Sequence, residues 1–215
     1  MIRSSSSQPA VLATNLGLHS NLFATVFERL QVSTRLNVLD MGFASPSTVQ
    51  FFNQFKCKLH FVDLYAEEFI ANPQEEATHD ELRMQFKAAL NLQPGLTIDI
   101  CLFWDFFNYL DGPALKALIA ALEPHIGPDT RGYSLGLLNG RTSLPYYQYG
   151  IGSLNNLSQT GRDGDQPPIY PHSQRDLNGM LGYFEIDKSR LMPDGRVEYI
   201  LYENRSKRPN AGAIF

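Results

Sequence analysis

The stretch "LNVLDMGFASPSTVQFF", Leu36 to Phe52, constrains the fold more than any other. It begins as a short apolar run that stops on an acid, the pattern of a buried strand ending at Asp40. Gly42 supplies a turn. Ser45 is a good helix N-cap and Pro46 suits the first helical position. Val49, Phe52 and Phe55 give the helix that follows an apolar face. Strand, one-glycine turn and helix is the layout of a nucleotide-cofactor loop. A phosphate-binding loop, however, needs further glycines so that backbone amides can approach the pyrophosphate at the helix N-terminus. Here no GxGxxG exists, and Pro46 removes one of those amides. NAD, FAD and ATP are therefore disfavoured.

The rest of the chain repeats the alternation. "HSNLFATVFERL" carries Leu22, Phe23, Val26, Phe27 and Leu30 at helical spacing, which predicts an amphipathic helix ahead of the first strand. "KLHFVDLY" reads as a second strand ending at Asp63. "EEFIANPQEEATHDELRMQFKAALNL" is mostly helical, and "IDICLFWDFFNYL" is an apolar run too buried for an edge strand, with Asp105 and Asn108 where it should stop. Leu115, Leu118, Ile119 and Leu122 share one face of a helix that Pro113 starts, and "GYSLGLL" is another strand. Residues 139–172 are rich in Gly, Pro, Asn and Tyr and read as a long irregular segment, a lid or a substrate-binding insertion. Ser173 and Asp176 are spaced as a capping box for the next helix. "PDG" between two alternating runs is a strong hairpin signal. Alternating strands and helices imply a parallel sheet covered on both faces, and the closing hairpin adds antiparallel strands. The expected organisation is a flexible leader over 1–15, one domain over 16–206 and a tail over 207–215.

Composition narrows the function. A chain of 215 residues with 43% hydrophobic and 19% charged residues is ordinary for one soluble globular domain. A net charge of -4 without a charge block argues against nucleic acid or an anionic membrane as partner. Cys57 and Cys101 lack CxxC spacing and fit a reduced, cytoplasmic protein. The five histidines are scattered, so no metal site is expected. The aromatic residues, 14 Phe and 10 Tyr, read first as a Phe-rich core and second as an aromatic binding cage.

The ordered set "VLDMGFASP", "HFVDLY", "DICLFWDFFNYL" and the closing hairpin resembles the class I S-adenosylmethionine-dependent methyltransferases, over roughly Leu36 to Asn204. The resemblance implies a Rossmann-like α/β fold, with a mainly parallel sheet and an antiparallel C-terminal hairpin strand. It also implies S-adenosylmethionine as cofactor. The family's loop commonly reads D-x-G-x-G-x-G; here Asp40 and Gly42 are followed by Ala44 and Pro46 at the next two glycine positions. The third-strand acid that usually flanks adenine has no clear counterpart, because "LRMQFKAALNLQPG" looks helical.

Carried over residue by residue, the resemblance assigns Asp40, Gly42, Phe43, Ala44, Asp63, Leu64 and Trp104 to the cofactor, with Asp63 holding the ribose hydroxyls. S-adenosylmethionine has no phosphate, so the missing amide matters less to it. Gly42 permits close backbone approach, and Asp63 offers a charged acceptor. Asp105 and His172 are the candidate acid–base residues, and Asn108, Tyr146, Tyr147 and Tyr149 the candidate acceptor-binding residues. Each has a plainer alternative. Gly42 fits any turn, Asp40 can cap turn amides, Asp63 can be an ordinary strand-end acid, and Trp104 can be core. The tyrosines can pack a loop, and His172 can serve helix entry. Two functions follow: a methyltransferase for a small-molecule or unidentified acceptor, or a catalytically inactive methyltransferase-like interaction or regulatory module with an unidentified protein partner. Fold alone does not decide between them.

Overall fold

The computed structural model describes residues 16–28, 35–74, 76–138 and 140–204. A six-stranded sheet organises most of them. Its strands are β2 (Leu36–Asp40), β3 (Cys57–Phe61), β4 (Ile98–Trp104), β5 (Ile126–Leu137), β8 (Phe184–Leu191) and β9 (Arg196–Glu203). They lie in the order β3-β2-β4-β5-β9-β8. The first four are parallel, whereas β9 runs antiparallel to both β5 and β8. This is the expected Rossmann-like arrangement, mainly parallel with an antiparallel closing hairpin. Gly195, with φ of 86°, turns that hairpin in a conformation few other residues adopt.

The apolar runs are continuous because both sheet faces are covered. Along β4, Cys101 and Phe103 enter one core cluster, while Ile100, Leu102 and Trp104 enter the other. The first cluster is closed by Phe86 and Leu90 of α3 (His79–Leu90), by Leu115, Leu118 and Leu122 of α4 (Gly112–Leu122), and by Leu177 of α5 (Gln174–Met180). The second is closed by Phe23 and Val26 and by Phe51 and Phe52 of α1 (Pro46–Phe52). Between β3 and β4 the described residues form a 3-10 turn at Leu64–Ala66, α2 (Glu68–Ala71) and α3 but no strand, and β3 lies at the sheet edge. The segment "LRMQFKAALNLQPG" is helical through Leu90, as its sequence suggests.

Three expectations need correction. Residues 19–30 were expected to be one amphipathic helix. The described part is instead β1 (Leu16–His19) and a single 3-10 turn at Phe23–Phe27; 29 and 30 lie outside the described residues. Ser20 ends β1 by accepting from the Phe23 amide, and Phe23 packs edge-on against Tyr133. The apolar face of α1 is also different. Thr48, Phe51 and Phe52 point inward, Val49 is exposed, and Phe55 lies beyond the helix end. The Phe23 and Phe27 rings draw Phe51 into their cluster.

Residues 139–172, expected as a long irregular segment, are partly regular. Within 140–172, β6 (Tyr147–Ser153) and β7 (Asn156–Gly161) form an antiparallel hairpin. β7 also pairs with β1, giving a separate three-stranded sheet. β6 lies against α1 where Gly150 allows close approach. A Cβ there would sit 2.4 Å from the Ser47 Oγ, 2.5 Å from Ser45 Oγ and 2.6 Å from Ser158 Oγ. The leader over 1–15, the tail over 207–215 and Asn139 lie outside the described residues. Among the described residues no helix is long and apolar enough to cross a membrane.

Candidate functional site

The site lies where β2, β3 and β4 end side by side. β2 is central, with Asp40 opposite Phe61 of β3 and Leu102 of β4. Open α/β sheets bind ligands at such C-terminal edges. The two bonds that continue the strands, Met41 N to the Leu102 carbonyl and Val62 N to the Asp40 carbonyl, hold the three ends together.

Asp40 is buried and takes two hydrogen bonds on one oxygen. The Gly42 amide donates to Oδ1 at 2.8 Å and the Trp104 Nε1–H at 2.6 Å. Its other oxygen, Oδ2, is buried without a hydrogen-bond partner. Burial raises its pKa from the ordinary 3.8 to about 7; the indole and the Gly42 amide pull it back, and the neighbouring Asp63 charge pushes it further up. Gly42 is needed for close approach, since a Cβ would lie 3.2 Å from Asp40 Oδ1 and 3.3 Å from Trp104 Cδ1.

Trp104 is buried against Asp40. Its φ of 50° is in the left-handed region, which a bulky residue enters at a cost of about 1–3 kcal/mol. The indole stacks on Tyr149 at 5.3 Å between centroids and 9° between planes, and Phe23 lies 6.5 Å away on a near-parallel plane. Tyr149 is buried, and its hydroxyl donates to Asp105 Oδ2 at 2.9 Å while accepting from Arg196 Nη1 at 2.9 Å. Tyr65 donates to the other Asp105 oxygen at 2.7 Å. Burial raises the Asp105 pKa to about 6 against the pull of both tyrosines and Arg196.

Asp63 ends the β3 segment with φ of 32°, a left-handed conformation that aspartate tolerates better than most residues. Its Oδ1 accepts from Arg162 Nη2 at 2.5 Å. The Arg162 guanidinium, just after β7, lies 4.4 Å from the Tyr65 ring centroid and 5.6 Å from that of Tyr146. Burial works against the Arg162 charge, but the bond and charge of Asp63 outweigh it and raise its pKa.

The predicted residues thus divide. Asp40, Gly42, Trp104, Tyr149 and Asp105 are one bonded and stacked cluster, and Asp63 is joined to Tyr146 through Arg162. Tyr147 meets Tyr149 edge-on at 6.5 Å. Phe43 and Ala44 are exposed on the loop, and Leu64 is fully buried in the core. Asn108 is a strut: its amide donates to the Asp105 and Leu135 carbonyls and accepts from Leu137 N, all within the protein. His172 lies 2.7 Å from the Leu110 carbonyl through Nε2, so that nitrogen carries the proton and has no lone pair to offer. A cleft of about 210 Å³ opens beside the loop, with Phe43, Gln148, Tyr149, Ser158 and Thr160 on its walls. That is smaller than the ~300–1,000 Å³ of most small-molecule sites, and Asp40, Gly42, Asp63 and Trp104 do not line it. No group of three or more His, Cys, Asp or Glu among the described residues is arranged to hold a metal ion.

Arg162, Tyr65 and Arg196 were missed from the sequence. Tyr65 follows Asp63 by two positions and could have been noticed. Arg162 and Arg196 reach the site across 99 and 47 residues, a separation with no local signal.

No family model matches the chain, and no curated protein does. Several solved structures are similar. One is an S-adenosylmethionine-dependent methyltransferase from Clostridium acetobutylicum, 15% identical, covering 78% of this chain and 84% of that one at a TM-score of 0.45. Another is the Burkholderia thailandensis 1,6-didemethyltoxoflavin-N1-methyltransferase with bound 1,6-didemethyltoxoflavin and S-adenosylhomocysteine. It is 14% identical over 85% of this chain and 76% of that one, at a TM-score of 0.47. The PH0226 protein from Pyrococcus horikoshii is 10% identical over 85% and 88%, at a TM-score of 0.49. These are likenesses of shape at low identity; the fold of this chain rests on its own strand order and connections.

Proposed function

We propose that this protein is an S-adenosylmethionine-dependent methyltransferase for a small-molecule acceptor, with a crevice that its own side chains close in the conformation described. The observation that carries this reading is the state of Asp40. Its Oδ2 is buried and unpartnered beside a glycine whose missing Cβ leaves the loop backbone open. An orphaned buried carboxylate oxygen is costly unless a ligand satisfies it, and the ammonium of a methionyl group is suited to do so. Asp63, at the end of the neighbouring strand, has the charged acceptor that a ribose diol needs. Both fit the cofactor once Trp104 and Arg162 swing out.

When bound, the cofactor supplies an electrophilic methyl group on a sulfonium. The chain's part is to position and to exclude water. Asp40 and Gly42 would hold the methionyl end and Asp63 the ribose, while the Tyr149 face that Trp104 vacates would lie against the cation. Asp105 is fully buried and bonded to Tyr65 and Tyr149, so its direct effect is to fix the Tyr149 ring.

The second reading, an inactive methyltransferase-like interaction module, is favoured by one observation. Asp40 Oδ1 and Asp63 Oδ1 already have internal partners in Trp104 and Arg162. Calorimetry with S-adenosylmethionine and S-adenosylhomocysteine tests the choice. Binding with Kd below about 1 mM, or about -4 kcal/mol, supports the cofactor reading. Heat of dilution alone for both compounds favours the inactive module.

A further inference from the structure

We propose that Arg162 is a resident competitor for the cofactor: its guanidinium holds the carboxylate meant for the ribose, so the cofactor binds only when the arm carrying Arg162 lifts. This rests on the reading of Asp63 as the ribose acid. The arm is the end of the β6–β7 hairpin. Its backbone is pinned where Arg162 N donates to the Tyr146 carbonyl at 2.9 Å, and its side chain crosses the strand ends to reach Asp63.

Three features make this a latch rather than a casual surface pair. The Arg162 side chain is only 10% exposed and that of Asp63 30%, so water screens the pair weakly. The guanidinium carbon lies over the Tyr65 ring at 4.4 Å and over the Tyr146 ring at 5.6 Å, contacts that restrain it beside the carboxylate. Its Nε is nevertheless buried without a partner, so the closed state leaves one donor unsatisfied. A closed state with such a defect is poised to exchange for one in which the donor meets water. Tyr65 connects the latch to Trp104. Tyr65 bonds Asp105, which bonds Tyr149, on which Trp104 stacks. Lifting the arm therefore loosens the support of Trp104 over Asp40, and one motion frees both carboxylates.

Arg162→Met keeps an apolar stem between the two rings and removes the charge. Calorimetry with S-adenosylhomocysteine is expected to show about tenfold tighter binding by Arg162→Met than by wild type, and intermediate binding by Arg162→Lys. Trp104, the chain's single tryptophan, gives a second readout: its emission should change on binding as the indole leaves Asp40. Equal affinity of wild type and Arg162→Met would overturn the latch while leaving the cofactor reading intact. Weaker binding by Arg162→Met would also overturn it, by making Arg162 a cofactor ligand. Absence of binding by all three proteins would overturn both. Should Arg162→Met fail to fold, trypsin on the wild-type protein decides. Saturating S-adenosylhomocysteine is expected to speed cleavage after Arg162; unchanged or slower cleavage counts against the latch.

Discussion

Trp104→Phe isolates the indole N–H that reaches Asp40. The ring lost is buried, and roughly 40 Å³ of vacated volume at about 24 cal/mol per Å³ costs ~1 kcal/mol. The hydrogen bond adds a pH-dependent part. Asp40 titrates at about 7 in the folded protein, against an ordinary 3.8. Below pH 6 the carboxyl is mostly protonated and the lost bond is neutral, worth about 1 kcal/mol; above pH 8 it is ionised and the bond is worth about 1.5–3 kcal/mol. The substitution should therefore cost about 2 kcal/mol at pH 5 and about 2.5–4 kcal/mol at pH 8.5. Urea unfolding followed by far-ultraviolet circular dichroism at the two pH values gives both numbers. At roughly 2–4 °C per kcal/mol for a chain of this size, the melting temperature should follow. A penalty equal at both pH values, or below 1 kcal/mol at pH 8.5, would refute the bond as the link between Trp104 and Asp40.

The wild-type protein should itself lose stability as pH rises. Asp40 and Asp105 both have folded pKa values above 3.8, at about 7 and about 6. The folded state therefore holds more protons than the unfolded one between those values, and this contribution, full below about pH 4, disappears by about pH 7; urea midpoints that rise from pH 5 to pH 8 would contradict it. Tyr149→Phe removes the donor to Asp105 and the acceptor for Arg196, and should cost about 2–3 kcal/mol in denaturant unfolding, more at pH 8 than at pH 5. Gly150→Ala forces a methyl into three short hydroxyl side chains, and thermal unfolding should show a loss of about 1–3 kcal/mol. Asp63→Asn keeps a residue that accepts the left-handed backbone but leaves the Arg162 guanidinium without its counter-charge; we expect a cost of about 1–3 kcal/mol and weaker cofactor binding by calorimetry.

Local pattern determined the main sheet. β2 and β4 were legible because a parallel strand covered on both faces must be apolar along its length, whereas β3, an edge strand with Lys58 exposed, was legible from the short run "KLHFVDLY" that stops at Asp63. The "PDG" turn with Gly195 in a left-handed conformation determined the β8–β9 hairpin equally well. Asp40, Gly42, Asp63 and Trp104 were singled out by the family resemblance, and the parallel sheet then brings those strand ends side by side.

What the sequence did not determine was what those residues touch. The β6–β7 hairpin hides in a Gly-, Asn- and Tyr-rich stretch with no clear alternation, and its outer partner β1 lies about 140 positions earlier, with Leu16 opposite Gln159. Pairing over that distance depends on tertiary packing, which no window of neighbouring residues encodes. The same holds for Arg162, which is unremarked within "TGRDG" and decisive only because the hairpin folds its end over Asp63. Whether Asp40 and Asp63 face a ligand or their own chain was thus decided by the folded structure, since burial and a partner 64 or 99 residues away set their charge and their bonds.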